Sequence, residues 1–426
     1  MTTSEPARAG TTGAFVWVWL PGATDPVVAG RLLPAGQSNL GQVLAFTYGR
    51  SYLARADAIS LFTPELPLQP GTVDPTAPPT RGREPMPLAG CLRDAAPDAW
   101  GRRVLNLRLG EDQNVELSEL TYLLASDSDR IGALDFQVSA TEYVRRGGDA
   151  TLDQLMTMAE LAEAGIPIPD DLADAAGHGT SIGGARPKAL LRHGDRQLIA
   201  KFSSSTDDRP VVKAEAAAMA LARELGIDAA GSELVRVRGK DVLLVDRFDR
   251  TVGGGRRQLV SALTILGLGE MSARYGSYPM LADAIKTSFA KPGQALRELY
   301  TRLVFNVCIG NNDDHLRNHA AFWDGTALEL TPAYDLAPQP RRTAVSTQAI
   351  GLTDSGERAS QLWACRKAAG AFRVGTADAD AVIDHVVSGI RRHWEAAADA
   401  AELTRAERDT LLGREILNPY VFYDQP

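Results

Sequence analysis

Between residues 310 and 336 the chain reads GNNDDHLRNHAAFWDGTALELTPAYDL, and three oxygen-bearing side chains in this stretch constrain the rest of the fold. Four residues separate Asp313 from Asn318, and Asp335 follows only after a strand-like run. The spacing is that of a phosphoryl-transfer segment, in which one carboxylate orients an attacking hydroxyl while an amide and a second carboxylate hold Mg²⁺. FWDGTALELTPAYD reads as a hairpin that would return Asp335 beside Asn318. Such chemistry also needs a phosphate cradle and a lysine delivered from elsewhere, so the chain must fold into two facing halves.

Asp314 is the rival of Asp313 as base, but its spacing to Asn318 is one residue short, which favours Asp313. His315 reads as a support for the loop backbone rather than a proton carrier. The competing account is a polar turn after a helix, because such turns favour Asn and Asp. That account covers Asn311 to Asp314 and leaves Asp335 unexplained.

For the opposite half, Ser181-Ile182-Gly183-Gly184-Ala185-Arg186-Pro187-Lys188 is the cradle candidate. Two glycines let the backbone approach an anion and point N–H groups at it. The segment is not a Walker A loop, since the glycines are adjacent and Ala189 follows Lys188. A plain turn before a strand is the alternative. Lys201 lies near the end of the strand-like LIAKF, and Glu215 lies in the Ala-rich stretch after it, where the two could pair as a kinase lysine and glutamate do. Two solvated surface residues are the alternative there.

The organisation along the chain fits this demand. AFVWVWL (14–20), PVVAGRLL (26–33), QVLAFTYG (42–49) and AISLF (58–62) predict consecutive strands of a small antiparallel sheet. Eight prolines between Pro64 and Pro87 predict an extended surface connector. Helical periods predict helices over 92–109, with Pro97 in its first turn, and over 115–125 and 151–164. Strand alternation returns over 181–202, followed by a helix at 211–227 and strands in SELVRVRG and DVLLVDRF. Helices dominate beyond residue 259, including 295–310, 378–403 and 404–416, the last opening with a Thr404–Glu407 capping box.

The expected fold class is α+β: a two-lobed, protein-kinase-like fold with a mixed α/β N-terminal lobe, a β-rich N-terminal subdomain and a mostly helical C-terminal lobe. The expected units are a β-rich subdomain with its Pro-rich connector (14–112), a nucleotide-binding α/β lobe (113–250) and a mainly helical catalytic lobe (251–426). The 426-residue length supports several such units, and 44% hydrophobic with 23% charged residues is an ordinary globular composition. A formal charge of −8 argues against a surface built wholly to hold nucleic acid. Three scattered cysteines (Cys91, Cys308, Cys365) fit buried thiols in a reducing compartment. The polar leader MTTSEPARAGTT lacks signal-peptide character and no stretch is apolar enough to span a bilayer, so the expectation is a cytoplasmic protein with no membrane association.

SIGGARPK, LIAKF, VDRFDR, IGNNDDHLRN and LTPAYDL, in that order, resemble the signature segments of the HipA family of bacterial serine/threonine kinases, the toxins of two-gene toxin–antitoxin systems. LRDAAPDAWGRR, with the β-rich part before it, resembles the family's N-terminal subdomain. The resemblance implies ATP and Mg²⁺ as cofactors, Asp313 as catalytic base, and Asn318 and Asp335 as metal ligands. It implies that Lys201 contacts the ATP phosphates, that the Gly183–Gly184 loop covers them, and that Ser181 is a site of autophosphorylation. Asp246 and Phe248 would meet adenine at the hinge, with Asp249 near the ribose. Better-known members carry Glu at the position of Asp246, one methylene longer. The implied partners are a helix-turn-helix, HipB-like antitoxin, through which DNA is contacted indirectly, and a protein substrate, aminoacyl-tRNA synthetases being known targets in the family. Phosphorylating such targets would stall translation and favour persistence. The machinery would equally serve a small-molecule kinase, or remain as a silent nucleotide-binding co-repressor.

Overall fold

Strand propensity and turn chemistry divide the β structure into three separate sheets. The computed structural model describes residues 12–180, 184, 186–341, 343 and 345–424. In the first sheet, β1 (Ala14–Val18), β2 (Val27–Ser38), β3 (Gly41–Tyr48), β4 (Thr72–Val73) and β5 (Leu134–Gln137) run antiparallel in the order β4-β3-β2-β1-β5. β5 lies well beyond residue 112, so this sheet is not confined to the 14–112 segment. Residues 58–62 are not a strand. The Tyr48 hydroxyl donates to Leu66 O and accepts from Leu61 N–H, both at 2.8 Å, which holds the segment as a packed turn below the sheet.

The Pro-rich stretch is also more than a surface connector. It contributes β4 to the sheet edge and buries Leu66 and Met86. Arg83 fastens it by donating to the Glu65 carboxylate at 2.7 Å and to the carbonyl of Ile265 at 3.2 Å. Proline excludes a helix there without excluding packing.

β6 (Lys188–His193), β7 (Arg196–Phe202), β8 (Ser232–Val237) and β9 (Lys240–Asp246) form the second sheet in the order β6-β7-β9-β8. β6 and β7 turn at Gly194, whose φ of 59° suits glycine. The predicted helix over 92–109 is two helices, Gly90–Arg93 and Ala99–Arg108. Pro97 cannot continue the first, and Asp98 stands at the N-cap of the second. The second packs with Leu152–Ala164 around a core of Trp100, Val104, Leu155, Met158 and Ala176 against Ala189, Leu198 and Ala200 of the sheet. Leu152–Ala164 carries a capping box formed by Thr151 and Gln154.

Helix Val211–Glu224 joins the N-terminal lobe to the helical half. Its residues share one core with helices Tyr278–Ser288, Pro292–Ile309 and Thr376–Ala400. Leu225 fills the space beside Gly389, where a Cβ would come within 2.0 Å of it. Lys213 Nζ donates to Glu402 O at 3.0 Å, and Arg209 pairs with Glu415 at 2.7 Å. The third sheet, β10 (Gln258–Ser261), β11 (Ala320–Trp323) and β12 (Leu328–Leu330), lies within the helical half in the order β10-β11-β12. Its β11–β12 hairpin separates Asn318 from Asp335, as the Asp-Gly turn predicted. All three cysteines are buried and free, and no helix among the described residues is long and apolar enough to cross a membrane.

Candidate active site

Lys201 lies near the end of β7, in register with Lys188 on β6. Its Nζ is 2.5 Å from Glu215 Oε1 and 2.7 Å from Asp335 Oδ1. One ammonium therefore ties the second sheet, helix Val211–Glu224 and the segment after the β11–β12 hairpin. Burial alone would lower its pKa, but the carboxylates of Asp335 and Glu215 outweigh it and hold the lysine above its ordinary value. Lys201 depresses the Asp335 pKa below the carboxylate range against the opposing effect of burial. Glu215 is pushed up by burial, opposed by Lys201. Lys188 is also buried, and desolvation lowers its pKa against the attraction of Asp335.

Asp335 adopts a left-handed backbone, φ 59°, uncommon for a residue with a side chain. Its carbonyl accepts from Asn311 Nδ2 at 3.3 Å and from Ala337 N–H at 3.1 Å. The two Asp candidates in the preceding turn are sharply different. Asp313 is exposed, whereas Asp314 is buried and receives the Tyr278 hydroxyl. His319 Nε2 is 2.9 Å from Asp314 Oδ1. Asn306 donates to the Tyr278 oxygen at 3.2 Å, and Asn311 to Asn306 Oδ1 at 3.1 Å. Tyr278, Asn306, Asn311 and His319 thus form a polar floor for the turn. Sequence reasoning missed it, although an Asn inside the otherwise apolar LVFNVCIG was a visible signal.

Asn318 ends a short 3₁₀ turn and donates from Nδ2 to Asp313 O at 3.1 Å. That bond leaves its amide oxygen for other partners. Partial desolvation in the turn raises the Asp313 pKa, with His315 opposing and Asp335 adding to the rise. His315 is half-buried, and its Nδ1 has no hydrogen-bond partner among the described residues, as is true of Asn311 Oδ1 and Asn312 Oδ1. Among the described residues no cluster of three His, Cys, Asp or Glu side chains could hold a metal by itself. An amide oxygen and one ionised carboxylate fit Mg²⁺ better, since that ion takes most of its ligands from phosphate and water.

Ser181, Ile182, Gly183 and Ala185 lie outside the described residues. Gly184 has φ 110°, and a Cβ on it would come within 1.9 Å of Lys188 Nζ, so the lysine head lies directly against the glycine backbone. In the segment expected to form the hinge, Phe248 packs against the rings of Tyr334 (5.6 Å) and Phe322 (5.9 Å). The Asp246 carboxylate is held by Arg196 at 2.9 Å at the exposed ends of the central strands β7 and β9. Asp249 requires a correction as a ribose contact. It is buried and accepts from Arg247, Arg250 and the Gly132 N–H, at 2.7 to 3.0 Å. Burial opposes its charge, but Arg247 and Arg250 lower its pKa to about 2. The neighbouring arginines in DRFDR were the overlooked signal. A cleft of about 530 Å³ lined by Leu225, Phe289, Arg297 and His385 includes none of these residues.

A model of the HipA-like C-terminal domain matches residues 180–394. A protein named as a kinase, Y4mE of Sinorhizobium fredii, is 28% identical over 207 residues, covering 41% of this chain and 48% of its own length. Another so named, from Haemophilus influenzae, is 27% identical over 186 residues, covering 38% and 54%. The serine/threonine-protein kinase toxin HipA of Shewanella oneidensis is 25% identical over 185 residues, covering 37% and 42%. The chain thus spans about half the length of the relatives it matches. A chain from the solved complex of Shewanella oneidensis HipA, HipB and operator DNA superposes with a TM-score of 0.68 at 17% identity, covering 97% of this chain and 100% of that one. The two-lobed α+β fold is shared with that structure.

Proposed function

The chain belongs to the HipA-like family, and from that premise we propose that it is an ATP-dependent kinase that phosphorylates a serine or threonine hydroxyl of a protein. The observation that carries this reading is Lys201 bonded at once to Glu215 and Asp335. That pairing keeps an ammonium beside the proposed metal ligand in a partly buried place, where its charge acts strongly on phosphate. Lys201 and Lys188 would bind the phosphates, with the glycine segment of Gly184 against them. Asn318 and Asp335 would hold Mg²⁺, which when bound neutralises charge on the β- and γ-phosphates.

Asp313 is the residue proposed to orient the attacking hydroxyl. Its exposed position and raised pKa suit a group that accepts a hydrogen bond from a substrate hydroxyl. Asp314 is bonded within the fold and has no such freedom. Phe248 would contact adenine at the hinge. The same reading extends to Ser181 as an autophosphorylation site, where a phosphate would compete with ATP for the backbone N–H groups. It also extends to a toxin role with a helix-turn-helix antitoxin as partner, and to an aminoacyl-tRNA synthetase as substrate.

The test is incubation of the protein with labelled ATP and Mg²⁺, mapping of phosphate by mass spectrometry, and Asp313→Asn as control. Label on Ser181 or on an added protein, lost in the control, is the expected result. Nucleotide binding without transfer to any protein would favour the silent module, and undiminished transfer by the control would remove Asp313 from its role.

A further inference from the structure

The cleft of about 530 Å³ opens away from the Lys201 cluster, where the end of helix Val211–Glu224, the start of helix Pro292–Ile309, strand β12 and helix Thr376–Ala400 meet. Its floor is apolar, built from Leu225, Phe289, Leu328 and Val382. Backbone bonds hold that floor in place. His385 Nε2 donates to Leu225 O at 3.0 Å, and the Ala290 N–H donates to Leu328 O at 2.9 Å. Sites for small organic ligands span roughly 300–1,000 Å³, so the cleft has the room for one.

The charged groups of the cleft divide by sign. Glu298 accepts from Arg302 Nε at 2.7 Å and from the Asp228 N–H at 3.2 Å, and Glu329 pairs with Arg257 at 2.7 Å. Arg302 directs further donors to the carbonyls of Asp228 at 3.1 Å and Thr331 at 3.0 Å. Lys291 and Arg297 are exposed by contrast, and neither side chain has an ion-pair or hydrogen-bond partner among the described residues. Asp228 is the cleft's one acid without a pair there, so two positive charges stand unpaired against one negative, in a chain whose formal charge is −8. We propose that the cleft binds a small organic acid with an apolar body. The body displaces water from the floor, and the carboxylate meets Arg297 and Lys291 at the rim, the planar guanidinium matching it with two parallel hydrogen bonds. The occupant rests on Leu225, the residue directly after the helix that carries Glu215, and so sits at the joint between the N-terminal lobe and the helical half.

The experiment is calorimetric titration of the full chain with octanoate, and with octanol and acetate as the apolar and the charged part of that ligand taken separately. The wild type is expected to bind octanoate at a single site, and octanol and acetate at least about tenfold more weakly. Arg297→Glu is expected to weaken octanoate by on the order of tenfold or more and to leave octanol unchanged. Ala381→Trp, at an exposed position lining the cleft, is expected to abolish binding of both by filling the space. Both positions are exposed, so the variants are expected to fold, and Lys291→Glu takes the place of Arg297→Glu should melting curves show otherwise. Failure of the wild type to bind octanoate would overturn the proposal. Binding of octanoate that is undiminished in the charge-reversed or the filled variant would also overturn it, as would octanol bound as tightly as octanoate. The readout is binding alone, so a negative result leaves the kinase reading untouched, and a chain that transfers no phosphate leaves this proposal untouched.

Discussion

Asp313 and Asp314 are neighbours in the chain with opposite surroundings: the first is exposed, and the second is buried beneath it against Tyr278 and His319. Asp313→Asn should leave thermal stability within about 0.5 kcal/mol of wild type while reducing phosphoryl transfer by roughly 10²–10⁴-fold. Asp314→Asn should instead lower stability by about 2–3 kcal/mol, because the Tyr278 hydroxyl loses its charged acceptor. Chemical denaturation and a transfer assay on both variants separate the two roles.

Lys201 neutralises two carboxylates, so its removal should be felt in both folding and activity. Lys201→Met leaves Glu215 and Asp335 without their shared cation and should cost about 3 kcal/mol at neutral pH. The Asp335 pKa is depressed in the fold, so its contribution is present above the ordinary carboxylate range and lost as pH falls below about 4. That acid-sensitive component should be missing from the variant in a comparison of melting curves at pH 7 and pH 3.

Asp98 predicts the reverse dependence. Burial raises its pKa to about 6 from 3.8, against the pull of Lys188. The folded state binds this proton more readily than the unfolded chain, so the contribution is complete below about pH 4 and is lost as pH rises through 6. Asp98→Asn should therefore be more stable than wild type at pH 8, by on the order of 2 kcal/mol, and nearly equal to it at pH 4. Melting temperatures at the two pH values check this.

Gly184→Ala introduces a Cβ where φ is 110° and Lys188 Nζ would lie 1.9 Å away. The glycine is exposed, so the global melting temperature should change little. The KM for ATP should rise by roughly tenfold or more, as the lysine head is displaced by the methyl group. Steady-state kinetics at varied ATP reads this directly.

The features legible in the sequence were the local ones. Asp313, Asn318 and Asp335 are linked by a turn and a hairpin, so spacing carried the information. Lys201 and Glu215 sit on a strand and the next helix, where a short connection limits the possible geometries. Tyr278, Asn306 and His319 meet through the packing of separate segments, and no period or spacing in the chain connects them. The stretch between Pro64 and Pro87 was misread because proline content excludes regular elements but says nothing of what Arg83 and Met86 can anchor. Asp249 is taken up by ion pairs with the flanking Arg247 and Arg250, which a resemblance in spacing does not reveal.

The bond between Lys201 and Asp335 spans 134 positions of the chain, so it also fixes when the site can come into being. Lys201 and Glu215 are both synthesised well before Asp335. Until the β11–β12 hairpin folds back, that ammonium has only one of its two carboxylates. On the proposed function, competence for phosphoryl transfer would be acquired late in synthesis, and a truncated chain ending before the hairpin would carry the lysine without the chemistry.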